Sequence, residues 1–263
     1  MKVGLFGANG RMGRVLVEAL DLSEDAELSV ATVRDDSPWV GLNVGELAGI
    51  GKKEVDCTAL SDLSGNDADV MIDFTLPSVI ESNLAWCVKN NMPVVIGTTG
   101  LNEAQLAALD EAAKHIPIVF AANYSVGVNL MLSLVRQAAS VLGNTADIEI
   151  TEAHHRFKQD APSGTAMAIG EAIADELGRD LKTCAVYGRK GKEPERDQGT
   201  IGFATIRAGD IVGEHTALFA DIGERLEITH KASSRLTFAK GAVHAAKWLY
   251  GKEPGLYSMV DVL

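Results

Sequence analysis

Val3-Gly4-Leu5-Phe6-Gly7-Ala8-Asn9-Gly10-Arg11-Met12-Gly13 opens the chain with a short apolar run and then places glycines at positions 7, 10 and 13. Residues 11–20 follow with Met12, Val15, Leu16, Ala19 and Leu20 on one helical face. The pattern reads as a strand, a glycine turn and a helix in direct succession. Such a turn needs residues without Cβ for three reasons: one to bend sharply, one to let a pyrophosphate approach the backbone, and one to let the helix pack on the strand. The helix start then offers unpaired N–H groups and the positive end of its dipole to phosphate. Gly7, Ala8, Asn9, Gly10, Arg11, Met12 and Gly13 are therefore read as a dinucleotide cradle. The plain alternative is a tight turn with no ligand.

Outward from this motif, apolar β-rich runs at residues 28–33, 55–60, 69–74, 93–96 and 116–121 alternate with helical patterns at 78–90 and 103–115. Continuously apolar strands separated by helices indicate a parallel sheet covered on both faces, a doubly wound α/β (Rossmann) domain. After Asn123 the rhythm changes. A helix is expected over 128–142 with Gly143 as its left-handed stop, then an alternating strand over 147–152 and a helix over 165–177. Residues 200–229 read as hairpins with turns at Ala208-Gly209-Asp210 and Asp221-Ile222-Gly223-Glu224. The second domain is thus a smaller α+β unit with a mixed, largely antiparallel sheet. A last apolar-faced helix is expected over 237–250, stopped by Gly251, and 187–199 is expected to be a mobile loop.

Ligands of open α/β sheets bind at the carboxyl ends of the strands. Three further segments fall there. Val33-Arg34 ends the second strand, where a carboxylate would bond a ribose 2′-hydroxyl and an arginine would accept a 2′-phosphate. Arg34 therefore favours NADPH over NADH, with a solvated strand-end charge as the alternative. Gly97-Thr98-Thr99 and Ala121-Ala122-Asn123-Tyr124 follow later strands, and their backbone groups could bind a carboxamide.

The chain has 36 acidic against 24 basic residues, a formal charge of −12. Such a balance lacks the broad positive footprint needed for nucleic acid or an anionic membrane. No apolar run reaches a membrane span and no signal-peptide pattern precedes the first strand. Cys57, Cys87 and Cys184 are few and dispersed, so a soluble, cytoplasmic protein without a disulfide framework is expected.

Against that acidic background, Glu152-Ala153-His154-His155-Arg156-Phe157-Lys158-Gln159-Asp160-Ala161-Pro162-Ser163-Gly164-Thr165-Ala166 gathers four basic side chains within five residues. It then runs into a helix start with Ser163 as a sensible cap. Cations facing a helix N-terminus describe a carboxylate or phosphate pocket. On a strand, His154 and His155 would point to opposite faces and do different jobs. Adjacent histidines rarely chelate one ion and Lys158 and Arg156 would repel it, so no metal is expected. A solvated basic loop is the bland reading.

This stretch resembles the signature of the 4-hydroxy-tetrahydrodipicolinate reductase (dihydrodipicolinate reductase) family. Also similar are Gly-x-x-Gly-Arg-Met-Gly near the start, Gly97-Thr98-Thr99-Gly100, the Ala121–Asn129 run, Gly209–His215 and Ile228–Arg235, so the likeness spans nearly the whole chain. The resemblance implies NADPH- or NADH-dependent reduction at C4 of a cyclic imine dicarboxylate with loss of its 4-hydroxyl as water, in lysine and diaminopimelate biosynthesis. It implies that His154 is the catalytic acid/base and Lys158 a proton donor, with His155, Ser163, Gly164 and Thr165 holding the substrate carboxylates. It further implies a nucleotide domain of residues 1–125 and 235–263, a substrate and oligomerisation domain of 126–234, and a homotetramer. The family pattern carries an acidic residue where this chain has Val33. Other readings stay open: another NAD(P)-linked dehydrogenase on the same architecture, and a nucleotide sensor that has kept the cradle.

Overall fold

The computed structural model describes all 263 residues except Glu193, and divides into one compact unit of Met1–Val126 with Arg235–Leu263 and another of Gly127–Ser234. The first unit begins with β1 (Lys2–Phe6), α1 (Arg11–Asp21), β2 (Glu27–Val33), the short α2 (Val44–Ala48) and β3 (Cys57–Ala59). It continues with β4 (Val70–Asp73), a 3-10 turn at Pro77–Val79 leading into α3 (Ile80–Lys89), then β5 (Val94–Ile96), α4 (Glu103–Ala112) and β6 (Pro117–Phe120). All the strands run parallel, in the order β3-β2-β1-β4-β5-β6. The alternate faces of each strand explain their apolar runs. Val3, Leu5 and Ile72 pack with Leu16, Val17 and Leu20 of α1, whereas Phe6, Met71 and Ile96 pack with Ile80 and Leu84 of α3 and Leu109 of α4. The buried face of α1 includes Val17, while Met12 and Val15 are only half-buried.

The second unit contains α5 (Val126–Leu142), β7 (Asp147–His154), α6 (Gly164–Glu176), α7 (Leu181–Cys184), β8 (Ala185–Tyr187), β9 (Ile201–Arg207), β10 (Gly213–Asp221) and β11 (Glu224–Ala232). Its sheet has the order β11-β10-β7-β9-β8, antiparallel from β11 to β7 and parallel from β7 to β8. One expectation fails here. Only Asp221–Glu224 closes a hairpin, because β7 lies between β9 and β10, so the turn at Ala208-Gly209-Asp210 carries the chain across β7. Gly143 also differs from expectation. It does not adopt the left-handed conformation, its amide still donates to the Ala139 carbonyl at 2.8 Å, and it is glycine because a Cβ would crowd that carbonyl and Leu177. The stretch 187–199 includes Glu193, outside the described residues. Arg189 reaches Glu149 at 2.9 Å, and Arg196 reaches Glu149 at 3.0 Å and Asp147 at 2.8 Å, so both flanks are tied to β7.

The chain then returns to the first unit. There α8 (Leu236–Leu249) covers the α1 face of the sheet, β12 (Gly255–Tyr257) adds a seventh parallel strand beside β6, and α9 (Met259–Val262) ends the chain. Among the described residues no helix is long and apolar enough to cross a membrane. Within α8, a Cβ on Gly241 would overlap the Tyr124 carbonyl oxygen, and Tyr124 is fixed, with its hydroxyl shared between the Ile96 (2.8 Å) and Val119 (2.9 Å) carbonyls. Gly241→Ala gains about 1 kcal/mol of helix propensity but forces an overpacked contact costing roughly 1–3 kcal/mol against an immobile backbone. Urea unfolding should show a lower midpoint with an unchanged slope; a midpoint at or above wild type would refute this packing.

Candidate active site

The glycine turn between β1 and α1 lies at the carboxyl edge of the sheet where the strand order reverses, between β1 and β4. Gly7 has φ +68°, a conformation that disfavours side chains. A Cβ on Gly13 would overlap the Gly7 carbonyl and Ala8, so the helix can pack this closely only with glycine there. Gly10 caps α1 without any side-chain hydrogen bond, leaving first-turn amides for a ligand. These residues fit a pyrophosphate. Val33 is buried at the end of β2 and Arg34 beyond it is about four-fifths exposed, with Asp36 3.6 Å from its Nε.

Asp73, 1 % exposed at the end of β4, organises the neighbouring loops. It accepts from the Thr75 amide (2.9 Å) and hydroxyl (2.6 Å), Thr98 Oγ1 (3.2 Å) and Asn83 Nδ2 (2.8 Å). The Thr98 side chain is therefore committed to Asp73 and that of Tyr124 to the core. Beside them is a cleft of about 300 Å³ lined by Met12, Phe74, Ala122, Asn123, Tyr124, Arg235 and Phe238. Thr99 is exposed at its loop, Gly97 and Ala121 are half-buried, and a Cβ on Gly97 would enter the Phe74 ring.

The basic stretch is built from β7. Strand period two puts Ile148, Ile150, Glu152 and His154 on one face, and all four are buried. Glu152 thus stands in an apolar register. Its neighbours across the sheet are Thr205 of β9 and His215 of β10, and His154 is opposite Arg207. Arg207 grips the Glu152 carboxylate with two bonds, Nη1 to Oε2 at 2.8 Å and Nη2 to Oε1 at 2.9 Å. His154 Nδ1 lies 2.6 Å from Oε2, and Oε1 also accepts from the Ser163 amide (3.1 Å) and Thr205 Oγ1 (3.3 Å). Burial alone would raise the Glu152 carboxyl, but the bonds from Arg207 and His154 hold it below the usual range. Burial likewise pulls His154 below its ordinary value, opposed by Glu152. Burial, with the nearby His154, pulls His215 down to about 4. Both imidazoles are therefore neutral near pH 7.

Ser163 caps α6, with its hydroxyl accepting from the Ala166 amide at 3.2 Å and lying 2.9 Å from His215 Nε2. Gly164 and Thr165 form the first turn. β7 ends at His154, so His155 leaves the strand and does not occupy its opposite face; it is half-buried, and its carbonyl accepts from the Lys158 amide at 3.1 Å. Lys158 Nζ is held between the Asp160 oxygens at 2.8 Å each, and Arg207 also binds the Asp160 carbonyl at 2.6 Å. His154, Ser163 and the Lys158 loop are thereby joined around one carboxylate. The expected residue set omitted Glu152, Arg207 and His215. A carboxylate breaking the apolar register of β7 was the signal for Glu152; Arg207 and His215 come from strands whose pairing is not written in local sequence.

Residues 1–124 match the family described as "Dihydrodipicolinate reductase, N-terminus" and residues 127–263 its C-terminal counterpart. A 4-hydroxy-tetrahydrodipicolinate reductase of Pseudoalteromonas atlantica is 68 % identical over 262 residues, covering 100 % of this chain and 98 % of that protein. The enzyme of the same name from Alkalilimnicola ehrlichii is 59 % identical over 262 residues with the same coverage. In fold, the chain is similar to a dipicolinate-bound dihydrodipicolinate reductase from Paenisporosarcina sp. TG-14, with TM-score 0.78 and 24 % identity, covering 100 % and 99 % of the two chains. Matched in both halves and along its full length, the chain belongs to the dihydrodipicolinate reductase family.

Proposed function

We propose that this chain reduces 4-hydroxy-tetrahydrodipicolinate to tetrahydrodipicolinate with NADPH or NADH, in lysine and diaminopimelate biosynthesis. The unit that contains the glycine cradle would hold the nucleotide, through Gly7–Gly13, Val33, Arg34 and the backbone of the 97–99 and 121–124 loops. The unit of Gly127–Ser234 would hold the substrate and build a homotetramer in the cytoplasm. The observation that carries the residue roles is the His154 imidazole anchored on a buried carboxylate that also binds the capped start of α6, next to a lysine loop.

A reduced nicotinamide held by the glycine cradle would supply the hydride that C4 of the substrate accepts. One further proton is taken up and the 4-hydroxyl leaves as water, so the overall change balances as one hydride and one proton in, one water out. A neutral imidazole suits the withdrawal and return of a proton near pH 7. Lys158 offers the complementary acid and places positive charge where the hydroxyl departs. The α6 start, with Ser163, Gly164 and Thr165, and His155 would bind the two carboxylates through N–H donors and the helix dipole.

His154→Ala and Lys158→Ala should each lower kcat by roughly 10²–10⁴-fold, with the nucleotide Kd unchanged. Equal loss of turnover and nucleotide binding would refute the assigned roles. Since His154 lies below its ordinary value of about 6.5, activity should fall only at more acid pH, as the ring becomes protonated; an acid limb above that value would contradict a neutral base. Arg34→Ala should weaken NADPH by roughly tenfold, the value of one charged hydrogen bond, and leave NADH unaffected. Equal weakening would remove Arg34 from nucleotide selection. Pyridine-2,6-dicarboxylate should raise the melting temperature only with reduced nucleotide present; a nucleotide-independent rise would argue against ordered assembly of the site. Sedimentation should give a species four times the 27.9 kDa chain, and a monomer would rule the tetramer out.

A further inference from the structure

We propose that Glu152 is a positioning residue for the reaction: its buried carboxylate fixes the proton of His154 on Nδ1, turns Nε2 toward the reacting atoms, and ties that imidazole to the start of α6. The proposal rests on the reading of His154 as the proton-transfer group.

A carboxylate in the apolar register of a central strand is costly unless it is paired and fully bonded. Arg207 alone would satisfy the charge, with a bidentate grip that also fixes the plane of the carboxylate. The three additional bonds, to His154 Nδ1 at 2.6 Å, the Ser163 amide at 3.1 Å and Thr205 Oγ1 at 3.3 Å, exceed what neutralisation requires. An ionised carboxylate can only accept, so the imidazole nitrogen facing it must carry the proton. The other nitrogen, Nε2, is left as the acceptor. Space at Nε2 is also specified: a Cβ on Gly213 would come within 3.2 Å of it. The charged and titratable groups around this ring are Glu152 on its own strand, Arg207 from β9, His215 from β10 with ring centroids 5.1 Å apart, and Lys158 from the loop after β7. His215 stays neutral, and among the described residues Glu152 is the carboxylate bonded to this ring, so it stabilises His154 when it takes up a proton.

The same carboxylate thus holds the imidazole and, through the Ser163 amide, the first residue of the carboxylate-binding helix start. A purely structural ion pair would tolerate loss of one donor without altering proton transfer, and this difference is measurable. Glu152→Gln, His154→Ala and the double variant should be compared in the full-length enzyme. Glu152→Gln should reduce kcat by up to roughly 10⁴-fold, by analogy with replacing the orienting carboxylate of a catalytic histidine, with nucleotide KM unchanged. Its acid limb should move to lower pH, because the charge that raises His154 is gone while that of Arg207 remains. In the His154→Ala background it should have no additional effect. An unmoved acid limb, or losses that multiply in the double variant, would overturn the proposal. Glu152→Asp retains the charge for Arg207 but withdraws the oxygen from His154 by one methylene; it should also lose turnover, and wild-type kcat there would overturn the proposal even if Glu152→Gln fails to fold. Loss of turnover in His154→Ala with full activity in Glu152→Gln overturns this proposal alone. Full activity in His154→Ala overturns the role of His154 and this proposal together.

Discussion

The buried carboxylate of Glu152 is the constraint around which the second unit is organised. It stands on the core face of β7, 1 % exposed, where Ile148 and Ile150 precede it. Leaving such a charge unpaired would cost several kcal/mol. The pairing comes from Arg207, which sits opposite His154 on β9, a strand parallel to β7. Because the same guanidinium binds the Asp160 carbonyl, the Lys158 loop is anchored by that demand too. One buried carboxylate thus joins β7 to β9, anchors the loop and orients His154.

The first unit solves a different problem, the approach of a polyanion by a chain with excess negative charge. In the proposed reading it does so locally, with backbone amides and a helix dipole in place of a basic surface. Gly7 provides the turn and Gly13 the close helix contact, and Gly10 caps the helix without a side chain that would occupy its first amides. At the neighbouring strand end Asp73 is turned inward and used up by Thr75, Thr98 and Asn83, so it orders the loops without presenting a second negative charge to phosphate.

Much of this was legible in the sequence, for identifiable reasons. The parallel strands are buried on both faces, so they read as apolar runs, and the glycine turn has a local backbone signature. The three-residue β8 and β12 are short and only partly buried, so their pairing with β9 and β6 decides them. The turn at Ala208-Gly209-Asp210 has hairpin chemistry, yet the pairing demand of β7 carries the chain over to its other edge. His154, Lys158 and Ser163 stood out because cations cluster before a helix cap. Glu152 lies in that same stretch but has the look of ordinary strand polarity, since its importance lies in which face it occupies. Arg207 and His215 lie 55 residues and 52 residues from their partners Glu152 and Ser163, a separation that only tertiary structure closes. The catalytic roles proposed for His154 and Lys158 rest on the family resemblance and are not written in the local sequence chemistry.

The most direct test of the central claim is the ¹⁵N NMR spectrum of the His154 imidazole at neutral pH. The account predicts a neutral ring with a pyrrole-like Nδ1 and a pyridine-like Nε2. A ring protonated on Nε2 alone, or an imidazolium at that pH, would contradict it.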